Sequence, residues 1–102
     1  MLKIYDKAKW HIEAGMDASE VIKRFKNIFA FLEKNEMLSN DGKEIVEIGI
    51  DSDVSLNKKM VNDNGRKFLD ACYDKVIDNN AKTIQNALSN EYKNYIIGKK
   101  KM

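Results

Sequence analysis

The histidine at position 11 is the first residue in this sequence to test for chemistry, because an imidazole can bind a metal ion or act as a general base near neutral pH. It is the only histidine among 102 residues, and Cys72 is the only cysteine. Zinc sites in proteins use three or four ligands, and these two residues supply no such cluster. As a base, His11 needs a nucleophile and an orienting acid, but Glu13 falls on a different helical face and no particular serine stands out. We therefore expect a structural, hydrogen-bonding histidine beside Trp10, and no metal or cofactor.

The segment that begins at Asp51 reads D-S-D-V-S, like the opening of a calcium-binding loop. An EF-hand loop requires glycine at its sixth position and a bidentate glutamate at its twelfth. Leu56 and Asn62 occupy those positions here. We therefore interpret Asp51 and Asp53 as turn and capping residues rather than as calcium ligands.

The densest group of acids in the chain overlaps this segment and consists of Glu44, Glu47, Asp51 and Asp53. If residues 43–50 form a helix, Glu44 and Glu47 lie on one face of it. The sequence contains no Walker loop, no G-x-G-x-x-G and no nucleophile elbow. We therefore predict that the protein is not an enzyme, and that these four acids form a surface for a basic protein partner.

The clearest secondary-structure signal lies at residues 16–35. Asp17 and Glu20 stand at the N-cap and N3 positions of a capping box, which predicts the start of a helix. Apolar residues then recur at helical spacing and predict a core-facing stripe, which consists of Val21, Ile22, Phe25, Ile28, Phe29 and Leu32. The charged residues placed off this stripe are Lys23, Arg24, Lys26 and Glu33. Phe31 also lies off it, which indicates contact with another element or a partner.

Shorter patterns predict the remaining helices. Asp6 is predicted to cap a short helix that runs to Ala14. Residues 43–50 favour a short helix, although the alternation of their apolar residues also suits a strand. Asn62 introduces a strong amphipathic helix, and a last helix is predicted to end before Gly98.

These elements predict a mainly α fold, in which four to five short helices form a single small domain over residues 1–98, with room for a minor two-stranded β ribbon around residues 45–61. Residues 99–102 are predicted to be a basic, disordered tail. Cys72 falls on the apolar side of a predicted helix, so a buried and reduced thiol is expected. No run approaches the roughly 18 apolar residues of a membrane span, and Asp6 interrupts any signal-peptide core, so we expect a cytoplasmic protein that does not enter the membrane.

The formal net charge of +2 gives little support for nucleic-acid binding. Three of the positive charges belong to Lys99, Lys100 and Lys101, and the rest of the chain carries a net charge of −1. Binding to phosphates by counterion release needs several cations on one ordered face. Nucleic acid is therefore a disfavoured partner.

Two segments resemble a family of small bacterial proteins. Residues 5–13, which read Y-D-K-A-K-W-H-I-E, are similar to that family's Y-D-x-A-x-W-H-x-E opening, and residues 62–74 are similar to its later N-x-x-G-x-x-F and Y-D signature. Some members occur beside polymorphic toxin systems, so the resemblance implies an immunity-type or other binding protein. The resemblance also implies a role for five residues, which either form a signature surface or hold the first helix against the core. They are Tyr5, Asp6, Trp10, His11 and Glu13.

Trp10 lies off the face predicted for the first helix, so its ring either packs on the last helix or is exposed as a binding anchor. The favoured hypothesis is a non-enzymatic protein-binding domain, in its sharpest version an immunity-type protein that neutralises a toxin domain. Its predicted contact residues are Trp10, His11, Glu44, Glu47, Asp51 and Asp53. The alternative is a small DNA-binding regulator, because residues 53–68 resemble the run from a winged-helix wing into its closing helix. However, no predicted helix presents the row of Arg, Lys, Asn and Gln side chains that a DNA-recognition helix uses. The sequence does not indicate an oligomeric state.

Overall fold

The computed structural model describes residues 3–100, with side-chain surroundings for residues 3–98. The elements in chain order are β1 (Ile4–Lys7), α1 (Ala8–Glu13), α2 (Ala18–Lys34), α3 (Asn40–Ile48), β2 (Ser55–Asn57), a 3-10 turn (Lys58–Met60), α4 (Asp63–Val76) and α5 (Ile84–Lys100). The prediction of a mainly α single domain with a small β ribbon is confirmed. Helix α2 lies at the centre and packs on α1, α3 and α5, while α4 packs on α5.

The β ribbon is not where the sequence patterns placed it. Its second strand, β2, lies within residues 45–61, but its first strand is β1 at the start of the chain. The two strands are antiparallel, with Ile4 opposite Asn57 and Lys7 opposite Ser55. An irregular register between Ile4 and Asp6 leaves two successive residues buried, so β1 lacks the alternation by which a strand is recognised.

The ribbon also bears on the winged-helix resemblance. Residues 53–68 contain one strand, β2, and its partner is β1, about fifty residues earlier in the chain. Residues 53–68 by themselves therefore do not form a two-stranded wing.

The helix starts follow the predicted capping chemistry at Asp17 and Asn62, and Ser39 supplies a further cap that the sequence patterns did not predict. The side chain of Asp17 accepts a hydrogen bond from the Glu20 amide at the start of α2, as a capping box requires. Ser39 caps α3 and Asn62 caps α4 in the same way. The predicted cap at Asp6 is wrong, because Lys7 holds the N-cap position of α1.

The C-terminal end of the last helix was also mispredicted. Helix α5 continues through Gly98 to Lys100, and a carbon atom added at Gly98 would meet no neighbour within 4 Å. Of the basic tail predicted at residues 99–102, the backbone of the first two residues continues α5, and residues 101 and 102 lie outside the described part.

The core is a layer of aromatic and branched side chains between α2, α4 and α5. Phe31, which the helical spacing placed off the stripe, is buried against Phe68 of α4 and Tyr92 of α5, at ring-centroid distances of 6.0 and 6.1 Å. Its predicted contact with another element is therefore confirmed. Cys72 is buried as predicted. Within residues 3–100, no helix combines the length and apolar character that would let it cross a membrane.

Candidate functional site

A groove of about 320 Å³ opens between the C-terminal half of α3, the loop that follows it, and β2 with its 3-10 turn. We call it the α3–β2 groove. Its lining residues are Ile45, Ile48, Gly49, Ile50, Asp51, Asp53, Val54, Ser55 and Met60. Four of these are large aliphatic or thioether side chains, and two are carboxylates from the predicted acidic group.

Local backbone chemistry builds the α3–β2 groove. An ideal Cβ on Gly42 would lie 2.1 Å from the Met60 carbonyl oxygen, so only glycine lets α3 come this close to the 3-10 turn. Gly49 ends α3 with φ +118°, a conformation that favours glycine, and reverses the chain. The Asp53 amide then donates to Oδ1 of Asp51 at 2.9 Å, which fixes the turn at the groove's edge. The predicted turn role of Asp51 is confirmed by this bond.

The apolar side of the groove is incompletely covered. Ile48 is 74% exposed, more than the other exposed large apolar side chains of the described residues. Ile45, Ile50 and Met60 beside it are half-buried. A single exposed isoleucine is ordinary, but one that stands at the mouth of an apolar groove extends that groove into a continuous contact surface.

The same surface carries an unbalanced negative charge. Residues 44–57 include four acids and no lysine or arginine. Glu44 and Glu47 are exposed on α3 next to the groove-lining isoleucines, and Asp51 and Asp53 line the groove. Asp53 lies 3.6 Å from the Lys9 ammonium group, whereas the other three acids have no ion pair among the described residues. Two of the four predicted acids, Asp51 and Asp53, thus line the groove, and Glu44 and Glu47 are exposed on the helix that forms one of its walls.

The two predicted contact residues on α1 have different surroundings. Trp10 is 49% exposed, so it is not held in the core. His11 turns inward: its Nε2 lies 2.7 Å from Oδ1 of Asp6, its ring meets the ring of Phe25 edge-on, and its side chain is 19% exposed. The expected hydrogen-bonding role of His11 is confirmed. Neither residue lines the α3–β2 groove.

A buried ion pair between Asp6 and Arg24 is the polar feature that the sequence patterns missed. Nη1 of Arg24 donates to Oδ2 of Asp6 at 2.8 Å, and the hydroxyl of Tyr73 donates to the same oxygen at 2.5 Å. The remaining Arg24 donors reach the carbonyl oxygens of Asn79 and Ile77 at 2.5 and 2.6 Å. Arg24 was placed off the core-facing stripe, but it can be buried because each of its three guanidinium nitrogens donates a hydrogen bond.

This network binds three elements together and leaves no open position for a substrate. Asp6 comes from β1, Arg24 from α2 and Tyr73 from α4, and all three side chains are buried. Burial, and then the negative charge of Asp6, raise the pKa of the Tyr73 hydroxyl well above its usual range. The hydroxyl therefore stays protonated and donates to Asp6. The arrangement therefore links β1, α2 and α4 through buried hydrogen bonds.

Within residues 3–98, no group of three His, Cys, Asp or Glu side chains comes together as a metal site requires. The thiol of Cys72 is likewise unsuited to nucleophilic chemistry, because burial raises its pKa to about 12. No protein-family model, curated protein or solved structure matches the chain.

Proposed function

We propose that this chain is a protein-binding domain without chemistry of its own, and that the α3–β2 groove is its docking surface. The observation that carries the proposal is Ile48, which is 74% exposed at the mouth of an apolar groove. Of the four acids around it, Asp53 alone has a counter-ion among the described residues, the exposed Lys9. Interfaces combine an apolar centre with a polar or charged rim, and this face has both parts.

The charge of the face defines the chemistry of the partner. Four acids and no bases over residues 44–57 favour a partner with a basic surface, because opposite charges speed encounter and penalise wrong partners. The apolar floor favours a partner that also offers a protruding apolar side chain. Toxin domains that act on nucleic acid carry basic surfaces, so an immunity-type protein that neutralises a toxin is the sharpest form of the proposal. The resemblance of residues 5–13 and 62–74 supports that form.

The test is capture of a partner by the tagged chain from a lysate of its source organism at moderate salt, followed by mass spectrometry. The same capture is repeated with a variant in which the acids are neutralised at constant shape: Glu44→Gln, Glu47→Gln, Asp51→Asn and Asp53→Asn. The amide at position 51 keeps the oxygen that accepts from the Asp53 amide, so the turn is preserved. We expect a stoichiometric protein that the variant no longer retains.

The matched control neutralises four exposed acids on other elements, namely Glu13, Glu33, Asp74 and Asp78. None of their side chains makes a hydrogen bond or ion pair among the described residues, and this control should retain the partner. Equal retention by both variants contradicts the proposed surface. A captured protein that is toxic when expressed alone and harmless when co-expressed with this chain establishes the immunity form.

A further inference from the structure

The C-terminal end of α5 is the chemical complement of the α3–β2 groove. Residues 92–102 contain four lysines and no acid, whereas residues 44–57 contain four acids and no base. Of the described part, Lys93 is exposed on α5, and Lys34 of α2 stands across a neighbouring cleft of about 360 Å³. The segment is therefore cationic in both sequence and surroundings.

The same end of α5 also presents apolar surface. Ile97 is 51% exposed, Ile96 is half-buried, and Tyr92 and Tyr95 lie partly buried along the helix. Ile97 and Ile48 are the two most exposed of the large apolar side chains in the described residues. Ile97 lies in the cationic segment and Ile48 in the acidic segment. Because both stay exposed in the folded chain, neither segment covers the other within one copy.

We propose that residues 92–98 of α5 dock into the α3–β2 groove of a second copy of this chain. Ile97 enters the apolar groove beside Ile48, and Lys93 faces Glu44 and Glu47. The argument rests on charge complementarity and on one exposed isoleucine in each surface. It concerns the groove of the proposed function but does not depend on a foreign partner.

The geometry of this contact sets the form of the assembly. The two surfaces lie on different parts of the same chain, so the contact is head-to-tail and leaves one surface free at each end. Such assemblies grow with concentration unless a ring closes. A contact confined to one helix end and a groove of about 320 Å³ is small, and small contacts associate weakly and reversibly. A foreign partner in the groove would displace it.

The first measurement is sedimentation of the full chain from roughly 10 µM to 1 mM, at about 50 mM and about 500 mM salt. We expect the weight-average mass to rise with concentration at low salt, and the dissociation constant to increase by roughly tenfold at high salt, because exposed charges are then screened. A mass that stays at one chain across the low-salt series overturns the proposal.

Two variants then separate the surfaces. The groove variant carries Glu47→Lys and Ile48→Lys, and the helix-end variant carries Lys93→Glu and Ile97→Glu. Each should stay at the mass of one chain when alone. An equimolar mixture should form a one-to-one dimer and nothing larger, because the intact helix end of the first variant fits the intact groove of the second. Self-association of either variant alone, or a mixture that stays at one chain, contradicts the head-to-tail contact.

The controls reverse charges on exposed residues of α4, Asp74→Lys and Lys67→Glu, and should associate like the wild type. Circular dichroism of each variant establishes that it is folded. Partner capture for the proposed function is carried out near 1 µM chain, roughly tenfold below the lowest concentration of the sedimentation series. The failure of one proposal is thereby distinguished from the failure of the other.

Discussion

The guanidinium of Arg24 and the carboxylate of Asp6 form an ion pair inside the protein, with Nη1 and Oδ2 2.8 Å apart and both side chains buried. The pair links β1 to α2, and the hydroxyl of Tyr73 ties it to α4. Removing two charges from water costs several kcal/mol per ion, which only good geometry and further hydrogen bonds offset. Here the carboxylate also accepts from His11 and the Lys7 amide, so the network is complete.

Breaking this pair should destabilise the protein strongly. Asp6→Ala leaves the buried guanidinium without its counter-ion, and Arg24→Met does the same to the carboxylate, so each should lower the free energy of unfolding by about 3–5 kcal/mol. The double variant should cost at least about 1 kcal/mol less than the sum, because neither charge remains. Urea unfolding measures all three. Lys9→Ala, which removes the exposed pair with Asp53, serves as control and should cost at most about 1 kcal/mol. Equal losses of unfolding free energy in Asp6→Ala and Lys9→Ala would contradict the stabilising role of the buried pair.

The closeness of α3 to the 3-10 turn depends on Gly42. A Cβ there would lie 2.1 Å from the Met60 carbonyl oxygen and 2.9 Å from a Leu38 methyl group, so Gly42→Ala forces backbone movement. We expect a loss of about 1–3 kcal/mol in unfolding free energy and weaker partner capture, since Met60 lines the groove. Gly98→Ala is the matched control. It adds the same methyl group to open space within α5 and should stabilise by up to about 1 kcal/mol. Unchanged stability of the Gly42 variant would contradict the packing.

The helices were predictable because their signals are local. The side-chain caps at Asp17 and Asn62 act within three residues, and the apolar spacing of α2 gives five of its seven buried residues. β1 was missed because the irregular register at Asp6 removes its alternation, and its partner lies about fifty residues away.

The acids of the candidate site were predictable from composition, whereas its apolar part was not. The exposure of Ile48 depends on how Gly49 turns the chain and on which residues then cover α3, and both are tertiary facts. The burial of Arg24 could have been suspected from its position in the helical spacing. It lies three residues after Val21 and four before Ile28, at the edge of the buried stripe, but the groups that satisfy it are distant in sequence.

The Tyr5 hydroxyl donates to Oδ1 of Asp70 at 2.8 Å, and Lys3 adds a second contact at 3.1 Å. The bond from Tyr5, aided by Lys3, holds the pKa of the Asp70 carboxyl below its ordinary 3.8, against the opposing effect of desolvation. A carboxyl whose pKa is lowered on folding stabilises the native state above its unfolded pKa, and this contribution is lost as pH falls through the folded pKa. Asp70→Asn should therefore lower the free energy of unfolding at pH 7, and lower it by less at pH values below 3.8. Urea unfolding measures both. Asp74→Asn, which removes no such hydrogen bond from the same helix, is the control for the substitution itself. If Asp70→Asn lowers the free energy of unfolding by the same amount at every pH, this linkage is contradicted.

The thiol of Cys72 should be protected in the native state. It lies in the core on α4, where burial raises its pKa to about 12, with a smaller contribution from the charge of Glu91. Because the thiolate is the reactive form, we expect labelling by iodoacetamide at pH 8 to be slower than for a free thiol by roughly a hundredfold or more, and to reach the free rate in denaturant. Mass spectrometry of the labelled chain follows both rates. Asp6→Ala should accelerate native-state labelling, because a less stable fold opens more often, whereas Lys9→Ala should leave the rate unchanged. Labelling of the native wild type at the denatured rate would show that α4 does not shield the sulfur atom.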